Sequence, residues 1–298
     1  MILSLISLAF GTENTSMNTA VEALQSEMTR GMAELSLDNQ PTPYWMEGNI
    51  IDVQYSKTNS TSGEILFHDA NRYRRLRLDV RVGDLSFDNS NIDSFSSRGT
   101  TTAWFPLDDD LIALQRPIWL SMDRAYKDAV DTYAQKVAAW ETREYPDRPE
   151  MLSLQDIPTI RSVEHNNPID KWSQETSIAL SASLKQYTEL DDNEVLVYER
   201  SVVEDVVNTD GLHTSHAHSL YIIRAEAIAK ATDGATIRDT RSWVVTAPDD
   251  LPSISEMQQE LQTMAEWVLD LRDAPIEQDY LGPVILEGNA ATEMFRQL

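Results

Sequence analysis

From Met17 to Leu37 the apolar residues Val21, Leu24, Met28, Met32 and Leu35 recur at steps of three and four, which places them on one stripe of an amphipathic helix. Such a stripe needs a surface to dock on. The run Asp38-Asn39-Gln40-Pro41-Thr42-Pro43 ends that helix, because each proline lacks a donor and pushes the preceding residue into extended geometry. Tyr44 to Tyr55 and Gly63 to Phe67 then read as two strands. The clearest strand follows, where Leu76, Leu78, Val80 and Val82 alternate with Arg75, Arg77, Asp79 and Arg81, one face apolar and the other charged. After a polar loop from Asp88 to Thr102, a helix is expected to begin near Asp108-Asp109-Asp110, acids that suit the positive end of a helix dipole. It should run to about Trp140 with Ile118, Met122, Ala125, Ala129, Tyr133 and Val137 on one side. Pro117 predicts a kink or a fresh start within it.

Glu144 to Pro168 is rich in proline and charge and reads as the internal linker or domain seam (144–168). Beyond it a helix is expected at Lys171 to Tyr187. Strands are expected at Glu194 to Ser201, Val203 to Asn208, Ser219 to Lys230 and Thr236 to Thr246. Asn208-Thr209-Asp210-Gly211 and Thr232-Asp233-Gly234 are hairpin-type turns between them, so these strands form a meander. Ser253 caps a last long helix whose buried stripe is Ile254, Met257, Leu261, Met264, Val268 and Leu271. The tail reads as a short strand, Pro283 to Leu286, and the first turns of another helix. Two helix-bounded regions with antiparallel signals give an α+β class, mixed or antiparallel sheets with long amphipathic helices.

Charge narrows the partners. The 298 residues carry 24 Lys and Arg against 49 Asp and Glu, a net charge of −25, so nucleic acid and anionic lipid should be repelled. The absence of cysteine removes disulfides, thiolate zinc sites and a cysteine nucleophile. No run reaches the length of a membrane-spanning helix. Ile2 to Phe10, followed by Gly11, has the apolar character of an export signal although a basic leader is missing, so residues 1–16 are a candidate signal segment and the protein is expected to be exported, or else cytoplasmic.

Gly-rich phosphate loops, nucleophile elbows and the paired-histidine zinc helix are all missing from the sequence. Three of the five histidines crowd together as His213, His216 and His218; on a strand His216 and His218 share a face, and His213 could join them from the turn to hold a metal. A polar turn and strand face explains the same spacing. Arg72, Arg74, Arg75, Arg77 and Arg81 concentrate positive charge, and Arg75, Arg77 and Arg81 are candidates for contacting a carboxylate or peptide; paired acids on a solvent face are the plainer reading. Trp119, Tyr126, Tyr133 and Trp140 at helical spacing, and the acids Asp108 to Asp110, read as packing and helix-start residues.

The segments Arg74-Arg75-Leu76-Arg77-Leu78-Asp79-Val80-Arg81-Val82-Gly83-Asp84 with Asp88-Asn89-Ser90-Asn91, and Pro106-Leu107-Asp108-Asp109-Asp110 through Trp119 and Asp123-Arg124-Ala125-Tyr126-Lys127, resemble the N-terminal half of exported-type bacterial members of the TldD/TldE (PmbA) metallopeptidase family. Val207-Asn208-Thr209-Asp210-Gly211 looks like that family's Asn-Ser-Glu-Gly-type turn, and Ala231-Thr232-Asp233-Gly234 falls where another Asp-Gly is usual. Tyr280-Leu281-Gly282-Pro283-Val284-Ile285-Leu286-Glu287-Gly288 with Ala290-Ala291 and Phe295 is the strongest local match. Together these segments spread over most of residues 17 to 298.

The resemblance implies that 17–280 is a family-type N-terminal region and 281–298 the start of a C-terminal domain. Catalytic members are similar in following this Gly-Pro-Val segment with Leu-His-Glu-x-x-x-His, whose histidines hold zinc and whose glutamate can act as base. The matching positions here are Glu287, Gly288 and Thr292, so the resemblance implies a non-catalytic partner or scaffold chain with no cofactor of its own, zinc belonging to the catalytic relatives. Its expected partner is a TldD/TldE-like chain, as homo- or heterodimer, with a peptide in a shared cavity. The alternatives are a zinc hydrolase using the histidine cluster and an inactive gene fragment.

Overall fold

The alternation at Leu76 to Val82 is the visible part of a much longer strand. The computed structural model describes residues 15–92, 98–141, 161–162, 170–275 and 281–297. The candidate signal segment up to residue 14 and nearly all of the linker lie outside them. In chain order the elements are α1 (Thr15–Glu34), β1 (Pro43–Thr61), β2 (Glu64–Asp84), β3 (Phe87–Asp88), β4 (Thr100–Phe105), α2 (Leu111–Glu141) and β5 (Arg161–Ser162). After these come α3 (Asp170–Ala182), β6 (Asp192–Asn208), β7 (His213–Lys230), β8 (Thr236–Val245), α4 (Ile254–Asp273) and α5 (Gly288–Gln297).

The strands form one eight-stranded sheet in the order β3-β2-β1-β6-β7-β5, with β4 also on β2 and β8 also on β7. Every pairing is antiparallel except that of the two-residue β5 with β7. Because β1 pairs with β6 from Glu47 opposite Asn208 to Ser60 opposite Val195, the chain before and after the linker contributes to a single sheet. The fold is α+β, as the periodicities indicate.

Several boundaries differ from expectation. The strands expected at Gly63 to Phe67 and Leu76 to Val82 are parts of one 21-residue strand, β2, which starts at Glu64, and the two strands expected within Glu194 to Asn208 are one, β6. Pro117 sits inside an unbroken α2, seven residues into a 31-residue helix. Pro283 to Leu286 is not a strand.

All four helices α1 to α4 pack on the same face of the sheet. Under α1 and α2, Leu24 and Met28 meet Met46, Ile50, Leu76, Leu78, Ile118 and Met122 in one apolar cluster. Gly48 lets α1 lie close, since a Cβ there would stand 2.7 Å from a methyl of Leu24. Under α3 and α4, Leu180 and Leu184 join Val195, Val197, Ile223, Met257, Leu261 and Met264 in a second cluster. Each fully buried aliphatic side chain of this kind contributes about 1.5–3 kcal/mol of transfer free energy.

Where α3 crosses the β1–β2 hairpin the contact is made by hydroxyls instead of methyls. Ser173 Oγ lies 2.7 Å from Ser56 Oγ and 3.0 Å from Thr58 Oγ1, and Ser177 donates to Ser60 Oγ at 2.8 Å. His68 Nδ1 reaches Thr58 Oγ1 at 2.9 Å. The seam stays satisfied by pairing its polar groups internally.

The capping assignments hold. Ser253 and Glu256 form a reciprocal capping box at α4, and Asp110 Oδ1 accepts the Ala113 amide at 2.8 Å to open α2. Tyr126 is buried and donates to the Pro41 carbonyl at 3.0 Å, while Tyr133 and Trp140 pack on Phe87. These aromatics are packing residues.

Candidate functional site

Strand alternation decides which charged residues belong to the covered face and which to the opposite one. On β2 the even positions face the helices, so the arginine set divides. Arg72 and Arg74 turn inward onto the buried Asp52, whereas Arg75, Arg77 and Arg81 turn outward. Among the described residues no helix packs on that outward face.

The antiparallel registers lay out this open face row by row. One row reads His216, Glu204, Ile51, Arg75 and Trp104 across β7, β6, β1, β2 and β4. Its neighbours are Thr214, Val206, Asn49, Arg77 and Thr102 on one side and His218, Val202, Val53 and Tyr73 on the other. The histidine and arginine candidates therefore share a surface, but three strand spacings, about 14 Å, separate His216 from Arg75. His213 faces the other way. It lies on the covered face, in β7 and not in the turn, with Nε2 3.1 Å from Asp205 Oδ1, while His216 and His218 stack with ring centroids 5.5 Å apart. The expected three-histidine site is thus divided by the sheet, and among the described residues no three His, Cys, Asp or Glu side chains are arranged to hold a metal ion.

Four aromatic rings cross the open face in contact. Tyr198 on β6 is 6.2 Å from Tyr55 on β1, Tyr55 is 6.4 Å from Tyr73 on β2, and Tyr73 meets Trp104 edge to face at 5.5 Å. Around them stand cations. Arg75 lies over Trp104 at 5.5 Å, Arg200 is opposite Tyr55, Lys57 is opposite Tyr198, and Arg77 neighbours Arg75 two residues along β2. Arg81 differs, because it stacks on Trp45 at 4.7 Å and has Asp88 at 3.5 Å and Asp79 at 3.8 Å. For Lys57, Arg75, Arg77 and Arg200 no ion pair forms among the described residues. In a chain of net charge −25, these four cations gather on one aromatic face beside the acids Glu47, Asp69, Asp79 and Glu204.

Near Arg77 the face carries acids under pressure. Glu47 and Asp79 are directly opposite on β1 and β2. Burial raises the pKa of each carboxyl, and the charge of Asp79 raises Glu47 further against the opposing pull of Arg81 and Arg77. Burial also raises the phenol of Tyr198, with Arg200 opposing.

Lys57, Arg200 and the ring row were not singled out from the sequence. Each stands at an ordinary strand position, and only the β1–β6 register brings them together. The positions matched to the zinc motif do not fit that metal. Gly288 has no side chain, and the Thr292 hydroxyl donates back to the Gly288 carbonyl at 3.3 Å in α5. Glu287 just precedes that helix and is exposed.

No protein-family model matches the sequence, and no curated protein sequence matches it. Among solved structures the chain is similar to a proposed modulator of DNA gyrase from Bacteroides thetaiotaomicron, with a TM-score of 0.52, 9% identity, 85% of this chain covered and 50% of that chain. It is also similar to a proposed modulator of a DNA gyrase from Thermotoga maritima (TM-score 0.49, 10% identity, 86% and 48% covered). TldE from Thermococcus kodakarensis gives a TM-score of 0.49 at 10% identity, with 83% and 47% covered. The chain spans about half the length of these structures. The likeness to the Bacteroides protein is one of fold. No helix of the described residues is long and apolar enough to cross a membrane.

Proposed function

We propose that this chain is a non-catalytic binding subunit related to the TldD/TldE metallopeptidases, in which the open sheet face lines a cavity that admits a peptide and a TldD/TldE-like chain closes the cavity. The observation that supports this reading is the combination of four aromatic rings and four cations without an ion pair on one face that no described helix covers. Aromatic rings hold peptide side chains and backbone by dispersion, and guanidinium groups fork onto carboxylates. Such a face suits a peptide that carries carboxylates. Glu287 and Thr292 where the motif has its histidines, and Gly288 where it has its glutamate, point the same way.

Co-expression with the TldD/TldE-like chains of the source genome tests the assembly. A complex co-eluting at equal stoichiometry is expected. A chain that elutes strictly alone in their presence would overturn the subunit reading.

A further inference from the structure

Strand β8 lies at the edge of the sheet, and among the described residues nothing pairs with its outer side. The turn before it fixes which backbone groups face outward. Ala231 donates to the Ala235 carbonyl at 2.9 Å, so in this hairpin the odd residues of β8 bond to β7. The even residues, Thr236, Arg238, Thr240, Ser242 and Val244, turn their N–H and C=O away from the sheet. At Thr240 the neighbouring side chains cap both groups: Asp239 Oδ1 accepts the N–H at 2.8 Å, and Arg241 Nη1 donates to the carbonyl at 3.1 Å. The outward groups of the other four residues have no partner among the described residues. A ten-residue edge without proline is a template for a further strand.

The side chains of β8 select that strand. Ile237, Asp239, Arg241 and Trp243 turn to the covered face, where Ile237 and Trp243 are half-buried and Arg241 meets Asp239 at 2.8 Å. An antiparallel copy of β8 centred on Thr240 sets Asp239 opposite Arg241 of the copy, Arg241 opposite Asp239, Ile237 opposite Trp243, and Thr240 opposite Thr240. Each ion pair within a strand is exchanged for one across strands, and the Thr240 residues trade their side-chain caps for bonds to each other. On the other face Val244, 60% exposed, falls opposite Thr236. Sliding the copy by two residues puts Asp239 opposite Asp239 or Arg241 opposite Arg241, and sliding it by one sends the helices of the two copies to opposite faces. Arg241 shares a groove with Glu256 and Glu260 of α4, so without this arginine three acids would meet there.

We propose that β8 is a self-pairing edge, through which two copies of this chain form a two-fold dimer about Thr240 and join their sheets side by side. Both open faces then look to the same side, uncovered by the contact. The inference is independent of the peptide-binding reading.

Sedimentation velocity of the full chain at about 0.15 M salt, where repulsion between the acidic copies is screened, should show a monomer–dimer equilibrium. Thr240→Pro removes an N–H that β7 does not use and sets a ring on the axis, so it should weaken the dimer at least about tenfold. Asp239→Arg should weaken it similarly, and Asp239→Arg combined with Arg241→Asp should restore it, with thermal melts verifying that each variant is folded. Because the chain has no cysteine, single cysteines read the register directly. Thr240→Cys places two Cα atoms about 5.5 Å apart and should cross-link on mild oxidation. Ser242→Cys lies about 14 Å from its copy and should not. A wild-type chain that stays monomeric up to about 100 μM overturns the inference and leaves the edge to a strand of another protein. So does a dimer that Thr240→Pro leaves intact, which puts the contact elsewhere, or equal cross-linking by both cysteines, which contradicts the register.

Discussion

The carboxylate of Asp52 on β1 and the guanidinium of Arg74 on β2 meet directly across the strand pair, with Nε 3.0 Å from Oδ2 and the Arg74 side chain fully out of solvent. Arg72 grips the same carboxylate in a fork at 2.9 and 2.7 Å, and Arg74 also donates to the Pro106 carbonyl at 3.0 Å. This knot ties the β1–β2 hairpin to the loop that leads into α2.

Asp52→Asn removes the charge that compensates a fully buried guanidinium. We expect it to cost about 3–5 kcal/mol of stability, the range for breaking one partner out of a buried pair. Burial pushes the Asp52 carboxyl up, but Arg72 and Arg74 together reverse this and hold it below the ordinary 3.8. A depressed folded pKa means the contribution is present above the unfolded pKa, about 3.9, and is lost as pH falls through the folded value. Thermal midpoints of both proteins measured across acid pH should converge as pH drops below about 4. A constant gap down to the lowest pH would contradict this account of the pair.

Glu47 and Asp79 give the opposite sign. Their carboxyls are raised, so the folded state binds protons more tightly than the unfolded one, and stability is gained as pH falls through their folded values. At neutral pH the opposed acids are a net cost. Glu47→Gln should stabilise the protein at pH 7 by about 0.5 kcal/mol, typical of relieving like charges on paired strands. The gain should vanish in acid, where the glutamate is itself neutral. Urea unfolding at both pH values reads the effect.

The capping box at α4 supports the second apolar cluster from one end. Ser253→Ala leaves the Glu256 amide without its acceptor and should cost about 1 kcal/mol by urea unfolding. Ser253→Asp keeps an acceptor and should lose little.

How far the sequence revealed this protein depended on which face each residue met. The stripes of α1, α2 and α4 were legible because their apolar sides dock on methyl-lined strands, as Met257, Leu261, Met264 and Val268 show. Ile254 and Leu271 were assigned to the same stripe but are 38% and 40% exposed, beyond the reach of the sheet. The middle of β2, His68 to Arg74, carries no strand signal because neither of its faces is apolar. His68, Ala70 and Arg72 turn toward the hydroxyl seam and the Asp52 knot, while Asp69 and Asn71 turn toward the open face. A strand polar on both sides carries no period-two signal.

The candidate site was legible only in fragments for a related reason. Arg75 and Arg77 announced themselves by alternating with Leu76 and Leu78, but Tyr55, Lys57, Tyr198 and Arg200 lie far from them in sequence and are neighbours through β-register alone. Grouping His213 with His216 and His218 requires it to stand in the turn, and it stands in β7. The odd spacing of three within a strand sends it through to the other face.

The most direct test of the account is the affinity of the open face for an acidic peptide, followed by intrinsic tryptophan fluorescence, with Trp104 at the site. The wild-type chain should bind with an affinity that falls as salt is raised, and Arg75→Glu with Arg77→Glu should weaken binding at least about tenfold without lowering the thermal midpoint. Equal binding by the doubly reversed variant, or an affinity indifferent to salt, would contradict the assignment of this face as the binding surface.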